Sequence, residues 1–178
     1  MNSVAVLLTC FSVSILNVNG DCNLGPIFRF HPNGMENTWY FIYSSPSMFD
    51  EANNIFAKYK LEGHSHYEAH AGATFVNTGS PKEVNATLTA LDYGTRFSVQ
   101  IPQWSKYNGM YRVTALEYGS YLILKGCRGD STIESLTIVM FSKKCPDEAS
   151  VGAARAALKK YLNENLDDFV KDTKLNCP

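Results

Sequence analysis

Apolar and polar residues alternate with a period of two through much of the chain, the pattern of strands with one buried face. Residues 55–62 are clearest: Ile55, Ala57, Tyr59 and Leu61 share one face, and Lys58, Lys60 and Glu62 the other. Residues 95–101 repeat it, with Phe97, Val99 and Ile101 opposite Arg96, Ser98 and Gln100. Further runs at 39–44, 84–88, 110–117, 121–126 and 136–143, and a run at 67–76 blurred by small and polar residues, bring the predicted strands to eight. Turn residues separate them, among them Ser45-Pro46, Asn77-Thr78-Gly79, Asn108-Gly109 and Tyr118-Gly119-Ser120. Short strands joined by short turns predict an all-β antiparallel barrel or sandwich.

The period then changes. Pro146-Asp147-Glu148 makes an acidic helix start, and Val151, Ala154, Ala157, Leu158, Tyr161 and Leu162 recur at helical spacing. Leu166, Phe169 and Val170 lead on to Cys177. A closed sheet has no edges to cover, so this single helix is expected against the outside of the sheet.

The N-terminus reads differently. An apolar run from Val4 to Val18, interrupted by Thr9, Ser12, Ser14 and Asn17, is too short to span a bilayer. With Gly20 before Asp21 it matches a secretory signal peptide, residues 1–20, leaving one domain over residues 21–178. No other stretch is long and apolar enough to span a membrane. Composition is ordinary for a globular protein, at 45% hydrophobic and 19% charged, and the net charge of -1 carries no basic excess for nucleic acid.

Cys10 falls within the leader. Cys22, Cys127, Cys145 and Cys177 remain, an even number that in a secreted chain predicts two disulfides with three possible pairings. None forms a CxxC zinc motif. Asn85-Ala86-Thr87 is an N-glycosylation acceptor and predicts a surface position for Asn85.

Catalytic motifs are missing: there is no GxSxG elbow, HExxH or P-loop. Asp147, Glu148, Asp167 and Asp168 suit capping and solvated positions. His64-Ser65-His66 with His70 could place two imidazoles on one strand face, but lacks convincing further ligands; a solvated His-rich turn is the simpler reading. Arg128-Gly129-Asp130 is ordinary turn chemistry before it is an adhesion tripeptide. No enzyme, metal or cofactor is expected.

Three segments resemble the lipocalin family. Asn37-Thr38-Trp39-Tyr40 is similar to the family's Gly-x-Trp at the start of the first strand, with Asn37 for the glycine. Leu116-Glu117-Tyr118 is similar to its Thr-Asp-Tyr turn, and Phe141-Ser142-Lys143 to its Phe-Ser-Arg. Residues 121–127 look like the matching strand of insect lipocalins, cockroach lipocalin allergens above all. The resemblance implies an eight-stranded up-and-down barrel with one outer helix. It implies a barrel-closing Trp39 covered by Lys143, and a Cys22–Cys127 bond, which pairs Cys145 with Cys177.

An eight-stranded barrel is wide enough for one small ligand. Counting by twos in the family's register, the expected ligand-binding set is Phe41, Tyr43, Ala57, Tyr59, Leu61, Phe97, Val99, Tyr111, Val113, Leu122, Leu124, Val139 and Phe141. Ile101, Ala115 and Thr137 face inward in the same count, and Met48 and Phe49 are candidate lid residues. The lining is apolar and aromatic, with Tyr43, Tyr59 and Tyr111 hydroxyls to fix a polar head. The expected function is a secreted, extracellular carrier of a small hydrophobic or amphipathic ligand, such as a pheromone, lipid or biogenic amine. For an amine, Glu68 and Glu117 are the weak carboxylate candidates. The alternatives are a storage or protein-interaction protein with a filled barrel, and a haem or bilin carrier using His66 or His70.

Overall fold

A computed structural model describes residues 22–63, 66–91, 94–128, 134–175 and 177. Residues 1–21, which include the expected signal peptide, and His64-Ser65 and Gly129-Asp130 lie outside the described residues. Eight antiparallel strands follow one another around a closed barrel: β1 (Thr38–Ser45), β2 (Ala52–Glu62), β3 (His66–Phe75), β4 (Pro81–Leu91), β5 (Arg96–Gln100), β6 (Gly109–Glu117), β7 (Tyr121–Arg128) and β8 (Glu134–Phe141). β1 closes the ring by pairing with both β2 and β8. Helix α1 (Glu148–Leu162) and a two-residue strand β9 (Val170–Lys171) pack outside.

The barrel interior divides into a packed floor and an unfilled upper part. Trp39 is 0% exposed, and its indole N–H donates to the Met35 carbonyl at 2.9 Å, in a 3-10 turn (Pro32–Met35) leading into β1. The Tyr67 hydroxyl donates to the Pro32 carbonyl at 3.0 Å, and its ring meets Phe97 edge-on at 5.6 Å. Phe30 packs on Phe97 from below. These aromatics close one end. Asn37 stays out of the left-handed region. Its side-chain oxygen accepts from the Thr38 N–H at 2.8 Å, and its carbonyl from the Tyr59 N–H at 3.1 Å. Asn therefore serves here through hydrogen bonds rather than backbone freedom.

On the outside, Ala154, Ala157 and Leu158 of α1 seat on Ala115, Tyr121, Ile123, Val139 and Phe141. Alanines let the helix approach closely. Asp147 caps it by accepting from the Ser150 N–H at 2.8 Å, and Asn163 ends it at φ 55. The strands beneath the helix are buried on both faces.

Two bulges set the inward registers. In β1, a shift between Phe41 and Tyr43 turns both Ile42 and Tyr43 outward. In β6, a shift between Val113 and Ala115 turns Ala115 outward and Leu116 inward. The inward positions of β8 are Leu136, Ile138 and Met140. Tyr43, Ala115, Thr137, Val139 and Phe141 therefore do not face the interior as the alternation count predicts. A bulge adds one residue and reverses the parity beyond it. For β8, a strand apolar on both faces gives no parity to count.

The tail is stitched to the barrel. Asp172 is 2% exposed and accepts from the Asn54 N–H at 2.7 Å and the Lys174 N–H at 2.9 Å. Its own N–H donates to Ile42 at 2.9 Å. Asn54 sits at φ 51 within a β2 irregularity that points its N–H at this carboxylate. Disulfides Cys22–Cys127 and Cys145–Cys177, with Cα separations of 5.7 and 5.6 Å, tie both ends to the barrel, in the pairing the resemblance implies. Asp172→Ala should leave the half-buried Asn54 N–H and the Lys174 N–H without their acceptor and lower stability by about 1–2 kcal/mol. Urea unfolding of wild type and variant, with disulfides intact, measures this.

Candidate functional site

Above the floor the barrel holds a narrow cavity of about 70 Å³. Its walls come from alternate residues of several strands: Phe41 of β1, Ile55, Ala57 and Tyr59 of β2, Ala69, Ala71 and Ala73 of β3, Val84, Ala86 and Leu88 of β4, Val99 of β5, Tyr111 of β6, Leu124 of β7 and Ile138 of β8. Ile101, Met48 and a 3-10 turn (Pro102–Tyr107), through Trp104 and Tyr107, line the end away from Trp39. The space exists because β3 and β4 present small side chains. Alanines at 69, 71, 73 and 86 stand where the floor has Tyr67 and Phe97.

No charged side chain lines this cavity among the described residues. Three phenols, of Tyr59, Tyr107 and Tyr111, stand on its wall. The Tyr111 hydroxyl donates to the Tyr107 carbonyl at 2.8 Å. Its ring lies over Gly126, where an added Cβ would come within 2.3 Å of it, so β7 needs glycine there. Tyr59 is buried with no hydrogen-bond partner among the described residues, and burial alone pushes its pKa well above the ordinary value. Burial does the same for Tyr111, partly offset by the Arg128 cation. The Tyr107 phenol is also raised, by burial first, with Arg128 holding it back.

Among the residues expected from the sequence, Phe41, Ala57, Tyr59, Val99, Tyr111 and Leu124 line the cavity. Leu61, Phe97, Val113 and Leu122 point inward but pack in the core cluster away from the cavity wall. Tyr43, Val139 and Phe141 lie in the outer cluster under α1 and β9. Tyr43 stacks edge-on against Phe141, with Lys171 over its ring. Met48 lines the cavity, and Phe49 joins the same core. The sequence reading missed Ile55, the alanine wall, Val84, Leu88, Trp104, Tyr107 and Ile138. The signal was present in β3, where alanines at 69, 71 and 73 recur at every second position, between Glu68, His70, Gly72 and Thr74.

Lys143 does not cover Trp39. It is exposed, with its ammonium 3.4 Å from Asp147 one helical turn on. The imidazoles of His66 and His70 are on the outer face of β3, because Tyr67, Ala69 and Ala71 take the inner one. His70 contacts Asn85 at 3.2 Å and Glu83 at 3.5 Å, and His66 contacts Thr89 at 3.5 Å. Among the described residues no group of three His, Cys, Asp or Glu side chains could hold a metal. Glu68 and Glu117 are exposed, away from the cavity, and Asn85 is exposed in the middle of β4. No helix of the described residues is long and apolar enough to cross a membrane.

No family model matches the sequence, and no curated protein matches it. Solved structures do match the fold. The cockroach major allergen Per a 4 superposes with a TM-score of 0.69 at 19% identity, covering 85% of this chain and 93% of the allergen. The amine-binding protein of Rhodnius prolixus, in its tryptamine complex, gives 0.68 at 13% identity, covering 86% and 87%. Lobster apocrustacyanin A1 gives 0.65 at 15%, covering 79% and 78%. The fold is the lipocalin barrel, as the three sequence segments imply.

The buried phenols give the site a signature in alkaline solution. Tyr67 is pushed up to about 12, chiefly by burial, and Tyr59 and Tyr111 rise for the same reason. Groups whose pKa is raised on folding contribute stability below the unfolded value, about 10 for tyrosine, which is lost as pH climbs through the folded value. Ultraviolet titration should show Tyr59, Tyr67 and Tyr111 ionising only well above pH 10, together with loss of the barrel's circular dichroism.

Proposed function

We propose that the protein is a secreted carrier that holds a small apolar or amphipathic molecule inside the barrel and does no chemistry on it. The observation that carries this reading is the cavity itself: closed below by an aromatic floor, walled by apolar side chains, and left unfilled by alanines on β3 and β4. A few fixed polar groups in an apolar recess is the usual form of a small-molecule site. Neighbours in fold include an amine-binding protein whose structure holds tryptamine, which supports small-ligand carriage as a use of this fold. Two disulfides fit an oxidising, extracellular setting. Removal of residues 1–20 as a signal peptide and a glycan on Asn85 belong to the same reading.

The cavity's dimensions favour a slender ligand. A haem or bilin is disfavoured, since among the described residues no histidine lines the cavity, and the space is narrow. A storage protein with a filled barrel would not need the alanine wall. The test is uptake of an apolar fluorescent probe by the purified protein, with native mass spectrometry of protein from its own source. Wild type should take up the probe. Ala71→Phe, which puts a ring into the cavity, should weaken uptake about tenfold or more with unchanged circular dichroism. No uptake and no bound mass would sink the carrier reading.

A further inference from the structure

The mouth of the cavity carries a polar group that the apolar walls do not explain. Arg128 ends β7 on the same face as the inward Leu122 and Leu124. It is only 7% exposed. Its guanidinium lies over the Tyr107 ring, 4.5 Å from the centroid, and Tyr107 lines the cavity. Nη2 meets Glu134 at 3.2 Å. Among the described residues Nε and Nη1 are buried without an acceptor, and the Tyr107 hydroxyl is buried without a hydrogen-bond partner. Native proteins leave few buried polar groups unpaired, and a guanidinium has only donors to offer.

We infer, on the carrier reading above, that the ligand has a carboxylate head, held at the mouth by Arg128 and the Tyr107 hydroxyl, with its apolar chain running down the cavity toward Tyr59. The free guanidinium donors and the unpaired phenol beside them converge on an acceptor. A carboxylate satisfies both, beside the exposed Glu134 that already pairs with Nη2, and charge-assisted hydrogen bonds of this kind are the stronger ones. Lys106 adds a second cation, 5.0 Å from the centroid of the same Tyr107 ring, though it is paired with Glu51. Acidic groups are present as well: Glu134, Glu51 and Asp50. All three are exposed, where water and salt weaken their repulsion of an anion. Arg128 acts from a dry site, where its attraction is screened least. An ammonium head would meet the reverse arrangement, with no carboxylate on the cavity wall and a buried guanidinium at the mouth.

The experiment displaces an apolar fluorescent probe with decanoic acid, decanol and decylamine, near neutral pH and at fixed ionic strength. The three share one chain and differ only in the head. Wild type should prefer the acid to the alcohol by about tenfold or more, and should bind the amine weakest. Arg128→Met should abolish the acid's advantage over decanol. Tyr107→Phe, which keeps the ring under Arg128, should reduce the advantage about threefold. Equal binding of acid and alcohol, preference for the amine, or an acid preference that survives Arg128→Met would overturn the inference while the carrier reading stands. Failure of the probe and all three ligands to bind would overturn both.

Discussion

The interior of an eight-stranded barrel is one row of side chains wide, and the rest of this structure follows from that limit. Every inward position competes for the same space, so side-chain size at each level decides between packed floor and open cavity. At the lower level Trp39, Tyr67, Phe97 and Leu122 fill it completely. One level up, the same strands β3 and β4 offer Ala69, Ala71 and Ala86, and the opposing aromatics cannot close the gap. Tyr111 can lean inward only because Gly126 gives its ring room on the neighbouring strand. The cavity is thus a property of a few small residues, not of the barrel as such.

The fold was legible because strand alternation, turn residues and a single late helix all agree with one architecture. Three short segments around Trp39, Tyr118 and Phe141 then named it. The site was legible only where alternation survives. On β2 and β5 one face is apolar and the other polar, and Ala57, Tyr59 and Val99 were placed on the correct side. On β8 both faces are buried, one by the cavity and one by α1, so Ile138 and Val139 are equally apolar and the sequence cannot rank them. On β1 the bulge after Phe41 reverses the count, which is why Tyr43 stands under β9 rather than over a ligand. Bulges leave almost no mark in composition, so register beyond them is invisible without the backbone.

The same bulge has a structural use. By placing Ile42 and Tyr43 on the outer side together, it lets β1 serve three neighbours: β2 along its first half, β8 along most of its length, and β9 at Tyr43 and Ser44. The tail that β9 begins then reaches Asp172, whose carboxylate holds the matching irregularity at Asn54 in β2. Two local departures from regular pairing, on adjacent strands, are therefore both held by Asp172, through its carboxylate at Asn54 and its backbone N–H at Ile42. A carboxylate is suited to this because it accepts from two backbone N–H groups at once.

An unfilled cavity lowers stability, because the atoms that line it lose partners on one side. Here the strongest tertiary ties lie outside the barrel: the helix seated on Phe141 and Ile123, the Asp172 contacts, the Lys125 ammonium shared by Thr137 and Glu164 at 2.7 and 2.6 Å, and two disulfides. None of these touches the cavity wall. Burial of one large side chain such as Phe141 contributes about 1.5–3 kcal/mol, comparable to the loss from several missing methyl contacts inside. A barrel braced from outside can keep its interior incompletely packed. The inner residues are then left free to be chosen for size and polarity rather than for holding the fold, and that separation is what a binding cavity requires.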